Sequence, residues 1–290
     1  MPAKIIDGRQ IAESLRSQIA QDAAAFQKQS GVPPHLAAVL VGDDPASAVY
    51  VRNKQTACEK AGLKSTLIKL PSQTTEEELL AFVARLNADA LVHGILVQLP
   101  LPKQIEPQKI LDAVAPLKDV DCFHPENVGL LSQGRPRFLP CTPAGVQQLL
   151  IHAGVKIPGA HVVIVGRSDL VGRPLSLMLM QKGSAADATV TVCHSQTRDL
   201  SAMTRTADIL VAAMGRPEFI KADMVKPGAV VIDVGTSRVG DRIVGDVDFA
   251  PVSQIASAIT PVPRGVGPMT ITMLLANTVK AAQIQRGAGF

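Results

Sequence analysis

The sequence has no tryptophan and a single tyrosine, and aromatic residues make up only 3% of its 290 residues. Proteins that bind single-stranded nucleic acid stack the bases on aromatic side chains, so this low content disfavours that class. The formal net charge is only +4, with both signs interspersed along the chain. This is too mild for the basic surface that nucleic acid requires. We therefore expect no nucleic-acid partner.

Long apolar runs are missing too, because no stretch approaches the ~20 apolar residues that cross a membrane. The first seven residues lack the basic and then apolar layout of a secretory signal. Metal sites group their ligands at short recurring spacings, but the four cysteines are scattered without a CxxC motif. We expect a cytoplasmic protein with no membrane segment, no metal and reduced thiols at Cys58, Cys122, Cys141 and Cys193.

Short runs rich in Val, Ile and Leu alternate with longer segments of helical period, which predicts an α/β fold with a parallel sheet. Because 290 residues are many for a single core, two domains are expected. Thr75 and Glu78 have the spacing of a capping box before a helix. The first half is predicted to contain a helix carrying Ile11, Leu15 and Ile19, strands at 36–41 and 94–99, and a helix from 45 to about 61.

The pattern weakens between residues 106 and 140, after which Thr142 and Pro143 are typical of a helix N-cap and first helical position. We place the domain boundary there, with a first domain at 1–140 and a second at 141–267. A C-terminal helix at 268–290 is predicted to pack back onto the first domain. In the second half we predict strands at 161–165, 189–193, 208–212 and 229–234, and a helix after 170.

The stretch VVIVGRSDLVGRP places Gly166 at the end of an apolar strand and Gly172 inside the start of the next helix. Such a turn lets backbone N–H groups and the positive helix N-terminus approach a pyrophosphate. Ser168 stands where the GxGxxG motif has its second glycine, so a tight turn without a ligand stays an alternative.

The end of the following strand bears on the choice of dinucleotide. Sites that prefer NAD carry an Asp or Glu there, but this strand ends in Cys193, His194 and Ser195. The hydroxyl of Ser195 and the guanidinium of Arg167 or Arg173 can instead receive a 2′-phosphate. This favours NADP, although a plain strand-end cap is an alternative for His194 and Ser195.

Ser47, Tyr50 and Lys54 stand at i, i+3 and i+7 and therefore share one face of a helix. A solvated stripe is the alternative to a functional face. A lysine that acts as a base must be neutral for part of the time, so its ordinary pKa of about 10.4 has to fall. A cationic substrate would lower it.

Eight stretches carry a family resemblance: VGDDPASAVYVRNK, GILVQLPLP, KDVDCFHPENVG, PCTPAG, VVIVGRSDLVGRP, VTVCHS, VIDVGTSR and ITPVPRGVGPMT. In this order they resemble the methylenetetrahydrofolate dehydrogenase and methenyltetrahydrofolate cyclohydrolase family in its bacterial bifunctional form. The resemblance implies an N-terminal α/β folate-binding domain and a C-terminal Rossmann-like NADP-binding domain with a parallel sheet. It also implies a homodimer that oxidises 5,10-methylenetetrahydrofolate with NADP and hydrolyses the product to 10-formyltetrahydrofolate.

The same resemblance implies a catalytic set. Lys54 is its central group, Gln98 hydrogen-bonds that lysine, and Tyr50 stacks on the folate rings. Asp121 holds the amino edge of the pterin, because a carboxylate accepts two parallel N–H bonds. The other implied folate contacts are Ser47, Val97, Leu99, Pro263, Arg264, Gly265, Val266 and Gly267.

For the cofactor, the resemblance implies phosphate contacts at Gly166, Arg167 and Ser168. It also implies that Ser195 lies on the 2′-phosphate side, where we add Arg173, and that Thr236 makes a main-chain contact to the nicotinamide half. The sequence departs from the family pattern at a few positions. Cys122 and Arg264 replace glycines, and Thr236 and Ser237 replace Ile-Asn. The alternatives are an NADP enzyme of another substrate class and a non-catalytic nucleotide-binding module.

Overall fold

The computed structural model describes residues 2–287. The last three residues of the predicted C-terminal helix, 288–290, lie outside the described residues. By its internal contacts the chain divides into two compact units. The first-half unit comprises Ser14–Cys141 and the chain from Ile271 onward, and the second-half unit comprises Thr142–Thr270 and the residues up to Glu13.

The first-half unit contains a parallel sheet of three strands in the order β3-β2-β4. Residues of the central strand alternate between two apolar clusters. Leu36 and Ala38 face one cluster, and Ala37, Val39 and Val41 face the other. This alternation follows from the two-residue period of a strand, so both faces of the sheet are covered. The strands are β2 (His35–Val41), β3 (Lys64–Leu70) and β4 (Gly94–Val97).

The helices of this half lie before, between and after its strands in the sequence. Thr75 caps one of them with the predicted capping box, because its hydroxyl accepts the N–H of Glu78 (3.2 Å) and its own N–H donates to the Glu78 carboxylate (2.9 Å). The C-terminal helix contributes Leu274, Leu275 and Val279 to the apolar cluster that contains Leu36. The bounds are α1 (Gly8–Ser30), α2 (Pro45–Lys60), α3 (Glu76–Ala88), α4 (Pro107–Ala113), α5 (Pro125–Ser132) and α10 (Val266–Gln285).

The second-half unit contains a parallel sheet in the order β1-β11-β8-β7-β5-β6. The chain runs from β5 to β6 on one side and then crosses to β7 on the other side of β5. In an open α/β sheet this reversal marks where ligands bind, at the carboxyl ends of the strands. The strands are β1 (Lys4–Ile5), β5 (His161–Val165), β6 (Thr189–Cys193), β7 (Ile209–Ala212), β8 (Val230–Asp233) and β11 (Ala258–Ile259).

Short elements complete this unit. An antiparallel hairpin pairs β9 (Ser237–Val239) with β10 (Arg242–Val244). The helices are α6 (Cys141–His152), α7 (Gly172–Leu179), α8 (Leu200–Thr204) and α9 (Phe249–Val252), with a 3₁₀ turn at Ala222–Met224.

Most predicted strands and helices are confirmed within one to two residues. The predicted N-cap at Thr142 is wrong, because α6 begins at Cys141. Pro143 therefore lies in the first helical turn, where its missing N–H costs nothing. The sequence did not indicate β3, an edge strand in which every residue is partly or fully exposed and two lysines break the apolar run. It also missed β1, which pairs with β11 and joins the first residues to the second-half unit, whereas the predicted first domain includes them.

Candidate active site

Helix α2 is positioned by its first turn. The side chain of Asp44 caps the helix by accepting the N–H of Ser47 (2.7 Å), and Pro45 occupies the first turn. This hydrogen bond lowers the pKa of Asp44. Ser47 is buried, Tyr50 is 46% exposed and Lys54 is half-buried. One stripe of α2 therefore carries a buried hydroxyl, an accessible aromatic ring and a partly shielded amine.

The amine of Lys54 is held by Gln98, which follows the buried strand β4. Lys54 Nζ donates to Gln98 Oε1 (3.0 Å), and Gln98 Nε2 donates to the carbonyl oxygen of Leu99 (2.7 Å). The second bond fixes the orientation of the amide, because only its NH₂ group can donate to a carbonyl. The Gln98 oxygen therefore faces the lysine and holds the amine at one place, leaving its other bonds for a ligand.

Asp121 and Lys54 both lie close enough to the Cys141 thiol to affect its pKa. The Cys141 thiol is buried and donates to the Val120 carbonyl oxygen (3.3 Å). Burial and then the Asp121 charge raise the pKa of Cys141 well above its usual value, while the Lys54 charge lowers it. The carboxylate and the amine thus act on one buried thiol.

Asn277 is a further group at this place that the sequence did not indicate. Its Nδ2 donates to the carbonyl oxygens of Val120 and Leu139 (both 2.8 Å) and contacts the Cys141 sulfur at 3.7 Å. It thereby ties α10 to the backbone just before Asp121 and just before Cys141. No local signal marks such a residue, because its partners are far away in the sequence.

In the second-half unit, the predicted phosphate turn is closely packed. Gly166 has a φ of +131°, and a Cβ there would lie 2.1 Å from the Ala213 carbonyl oxygen. A Cβ at Gly172 would lie 2.0 Å from the Gly166 oxygen. Only glycine fits at either position. The turn exposes Arg167 and Ser168.

The glycine turn and Ser195 lie at the ends of the neighbouring strands β5 and β6, and Arg173 lies in the first turn of α7. The Gly166 N–H, after β5, donates to the Cys193 carbonyl oxygen at the end of β6 (2.8 Å), and the exposed Ser195 follows two residues later. Arg173 forms an exposed i,i+4 ion pair with Asp169. Thr236 is exposed beyond the end of β8.

The two replaced glycines both lie at positive φ, the region that glycine favours. Arg264 has a φ of +84° and Cys122 a φ of +63°. Arg264 is exposed, and its carbonyl oxygen accepts the N–H of Arg9 (3.1 Å). Of the predicted folate loop, Pro263, Arg264 and Gly265 precede α10, whereas Val266 and Gly267 form its first turn.

The predicted residues therefore fall into two groups. Lys54, Gln98, Tyr50, Ser47, Val97, Leu99 and Asp121 belong to the first-half unit, whereas Pro263–Gly267 and the dinucleotide residues belong to the second-half unit. Within residues 2–287, no cluster of three His, Cys, Asp or Glu side chains is arranged to hold a metal. In the same residues no helix is long and apolar enough to span a membrane.

Two family models match the chain. The model described as tetrahydrofolate dehydrogenase/cyclohydrolase, catalytic domain, matches residues 6–121, and the model for the NAD(P)-binding domain of the same family matches residues 140–286. The bifunctional protein FolD of Rhodopirellula baltica is 58% identical over 296 residues, covering 98% of this chain and 99% of that protein.

Solved structures are similar as well. The bifunctional enzyme FolD, methylenetetrahydrofolate dehydrogenase/cyclohydrolase, from Campylobacter jejuni has a TM-score of 0.93 and 48% identity, covering 97% of this chain and 99% of that chain. The N5,N10-methylenetetrahydrofolate dehydrogenase-cyclohydrolase of Trypanosoma brucei, solved with NADP and an inhibitor, has a TM-score of 0.94 and 39% identity, covering 99% and 100%.

Proposed function

Since the chain belongs to the tetrahydrofolate dehydrogenase/cyclohydrolase family, we propose which of its residues carry out the two reactions of that family. The chain is a bifunctional enzyme: it oxidises 5,10-methylenetetrahydrofolate to 5,10-methenyltetrahydrofolate with NADP and hydrolyses the product to 10-formyltetrahydrofolate. The observation that carries the assignment of residues is the hydrogen bond between Lys54 and Gln98, in the electrostatic neighbourhood of Asp121.

The turn at Gly166 fits a dinucleotide. A Cβ at Gly166 or Gly172 would collide with backbone, so these two positions carry no side chain and the main chain of the turn can approach a pyrophosphate closely. In our proposal Gly166, Arg167 and Ser168 hold the phosphates, and Arg167 and Ser195 receive the 2′-phosphate. Arg173 joins them by releasing Asp169, and the main chain of Thr236 holds the nicotinamide half. When bound, NADP accepts the hydride from the methylene carbon.

We assign the folate to the residues around α2. The accessible ring of Tyr50 offers a face for the pterin, and the Asp121 carboxylate accepts N–H bonds from its amino edge. In the oxidation these residues position the substrate, because a methylene carbon held in one place lowers the entropic cost of the hydride transfer. Ser47, Val97 and Leu99 complete the pocket on the α2 side, and Pro263, Arg264, Gly265, Val266 and Gly267 are assigned to the folate as well.

For the hydrolysis, Lys54 acts as the general base and then as the acid. Water adds to the methenyl carbon and forms a C–O bond, while the amine takes one proton from the water. The amine returns that proton to the ring nitrogen as the C–N bond breaks, and the remaining hydroxyl proton leaves to solvent as the C=O bond forms. This leaves the formyl group on the other nitrogen and releases one proton overall, as the loss of the cationic charge requires. Gln98 keeps the amine in place.

The test is Lys54→Met, with Lys60→Met on the exposed part of the same helix as the matched control. Loss of a general acid–base group should lower the rate of methenyl hydrolysis at least about 100-fold. Part of the dehydrogenase activity should remain, since the lysine moves no proton in the hydride transfer. Two measurements on the purified variants separate the activities. Decay of the methenyl absorbance reports hydrolysis, and appearance of NADPH reports the dehydrogenase reaction. Hydrolysis at the wild-type rate in Lys54→Met would refute the assignment.

We also propose that the chain works as a homodimer in the cytoplasm. The support is its membership of a family in which the bacterial bifunctional form is dimeric. Light scattering on the purified protein should give twice the chain mass of 30.5 kDa, and fractionated cells should hold the activity in the cytoplasmic fraction. A mass equal to one chain would contradict the dimer.

A further inference from the structure

Two buried carboxyl groups of the second-half unit have no part in the chemistry above. Asp233 is the last residue of β8 and is 3% exposed, and Asp246 follows β10 and is fully buried. Burying a carboxyl group is costly unless hydrogen bonds satisfy it. Because both carboxyl groups are buried, the groups that donate hydrogen bonds to them indicate their role.

Together they accept backbone N–H groups from separate segments. Asp233 accepts those of Gly235 (3.0 Å), Asp246 (2.9 Å) and Val247 (2.9 Å). Asp246 Oδ2 accepts those of Met214 (2.6 Å) and Gly215 (2.9 Å), just beyond the end of β7. Bonds to an ionised acceptor are about twice as strong as neutral ones. The pair thus links the loops after β7 and β8 to the segment after β10.

Glycines make room for this arrangement reciprocally. A Cβ at Gly235 would lie 2.3 Å from the Asp246 carboxyl carbon, and a Cβ at Gly245 would lie 1.9 Å from Asp233 Oδ2. These glycines flank the β9–β10 hairpin at its base. Each aspartate therefore packs against the glycine that lies beside the other, and both loops are fixed relative to the hairpin.

The arrangement is maintained at an energetic cost. Among the described residues, Asp246 Oδ1 is buried without a hydrogen-bond partner. Burial first, and also the neighbouring Asp246 charge, raises the pKa of Asp233 to about 7, against the lowering effect of its N–H donors. Groups perturbed in this way concentrate at functional sites.

The fixed loops lie at the carboxyl ends of β7 and β8, the edge of an open α/β sheet where ligands bind. Thr236, assigned above to the nicotinamide half, directly follows Gly235. We infer that Asp233 and Asp246 are positioning residues that hold the Met214–Gly215 and Gly235–Thr236 loops in the shape that the nicotinamide half of NADP requires. This inference rests on the proposed cofactor residues.

The test is Asp246→Ala, with Asp248→Ala as the matched control. Asp248 lies two residues on and pairs with Lys221 at the surface (2.9 Å). Loss of the acceptor for two loop N–H groups should raise the KM for NADP about tenfold or more. The kcat/KM for methenyl hydrolysis, whose proposed acid–base group Lys54 lies in the first-half unit, should stay within about twofold. Asp248→Ala should leave both unchanged.

Asp246→Asn separates geometry from charge. Its amide oxygen can accept both N–H groups while the NH₂ group takes the place of the unpartnered oxygen, so the KM for NADP should return to within about threefold of wild type. A folded Asp246→Ala with an unchanged KM for NADP overturns the inference. So does a folded Asp246→Asn whose KM for NADP is as high as that of Asp246→Ala.

If Asp246→Ala does not fold, Gly235→Ala decides, because its added Cβ would push the same carboxyl group away from the loop. A folded Gly235→Ala with the wild-type KM for NADP overturns the inference. Failure of the proposed function is a separate result. It would appear as a normal hydrolysis rate in Lys54→Met, whatever the KM for NADP of the Asp246 variants.

Discussion

Replacing His93 by asparagine should remove the part of the acid sensitivity of the first-half unit that comes from this buried ring. His93 is 2% exposed, and burial, with a smaller effect of His35, lowers its pKa from 6.5 to about 4. The His93 Nδ1 accepts the N–H of His35 (3.1 Å). A protonated ring has a hydrogen on that nitrogen and cannot accept the bond. The folded chain therefore favours the neutral ring.

The direction and the size of this pH dependence follow from the linkage between proton binding and folding. Because the folded pKa lies below the unfolded one, the stabilisation is present above pH 6.5 and is lost as the pH falls toward 4. The full shift corresponds to about 3 kcal/mol, and about 2 kcal/mol of this should be lost between pH 7 and pH 5. Asp233, whose pKa is raised to about 7, has the opposite sign, since its contribution is lost as the pH rises through 7. Only the difference between wild type and variant isolates His93.

The assay is urea unfolding at several pH values between 5 and 7. Emission of Tyr50 serves as the probe, because it is the only tyrosine of the chain and lies in the same unit as His93. The free energy of unfolding of wild type minus that of His93→Asn should shrink by about 2 kcal/mol from pH 7 to pH 5. The control His152→Asn removes an exposed histidine and should leave the pH dependence unchanged. A difference that stays constant across this range would refute the reasoning.

Two further substitutions test the turns. Gly166→Ala places a Cβ 2.1 Å from the Ala213 oxygen and should raise the Kd for NADP at least about tenfold, measured by calorimetry. Gly183 also has a positive φ but lies in open space, so Gly183→Ala should leave the Kd for NADP unchanged. Equal Kd values for NADP in the two variants would contradict the packing argument. Arg264→Gly relieves a φ of +84° and should raise the free energy of unfolding by about 0.5 to 1 kcal/mol. A lower value would show that the arginine side chain contributes more than its backbone costs.

Features that rest on local chemistry could be predicted from the sequence. The capping box at Thr75, the strand from 161 to 165 and the helix from Pro45 follow from period and cap residues over a few positions. The two glycine replacements, Cys122 and Arg264, were visible as departures from the family pattern, but their positive φ values were not. Element boundaries such as the start of α6 were the least accurate, because neighbouring residues can serve equally well in a first turn.

By itself, the sequence determined the α/β class, the glycine turn after β5 and the stripe of Ser47, Tyr50 and Lys54. Each depends on residues close together in the chain. The family resemblance had already implied that Gln98 hydrogen-bonds Lys54, and the structure contains that bond. Only the tertiary structure decided that Cys141 and Asn277 adjoin Asp121, and that Asp233 and Asp246 share the loops after β7 and β8. These partners are distant in the sequence, and it is packing of the sheets and helices that brings them within hydrogen-bond reach.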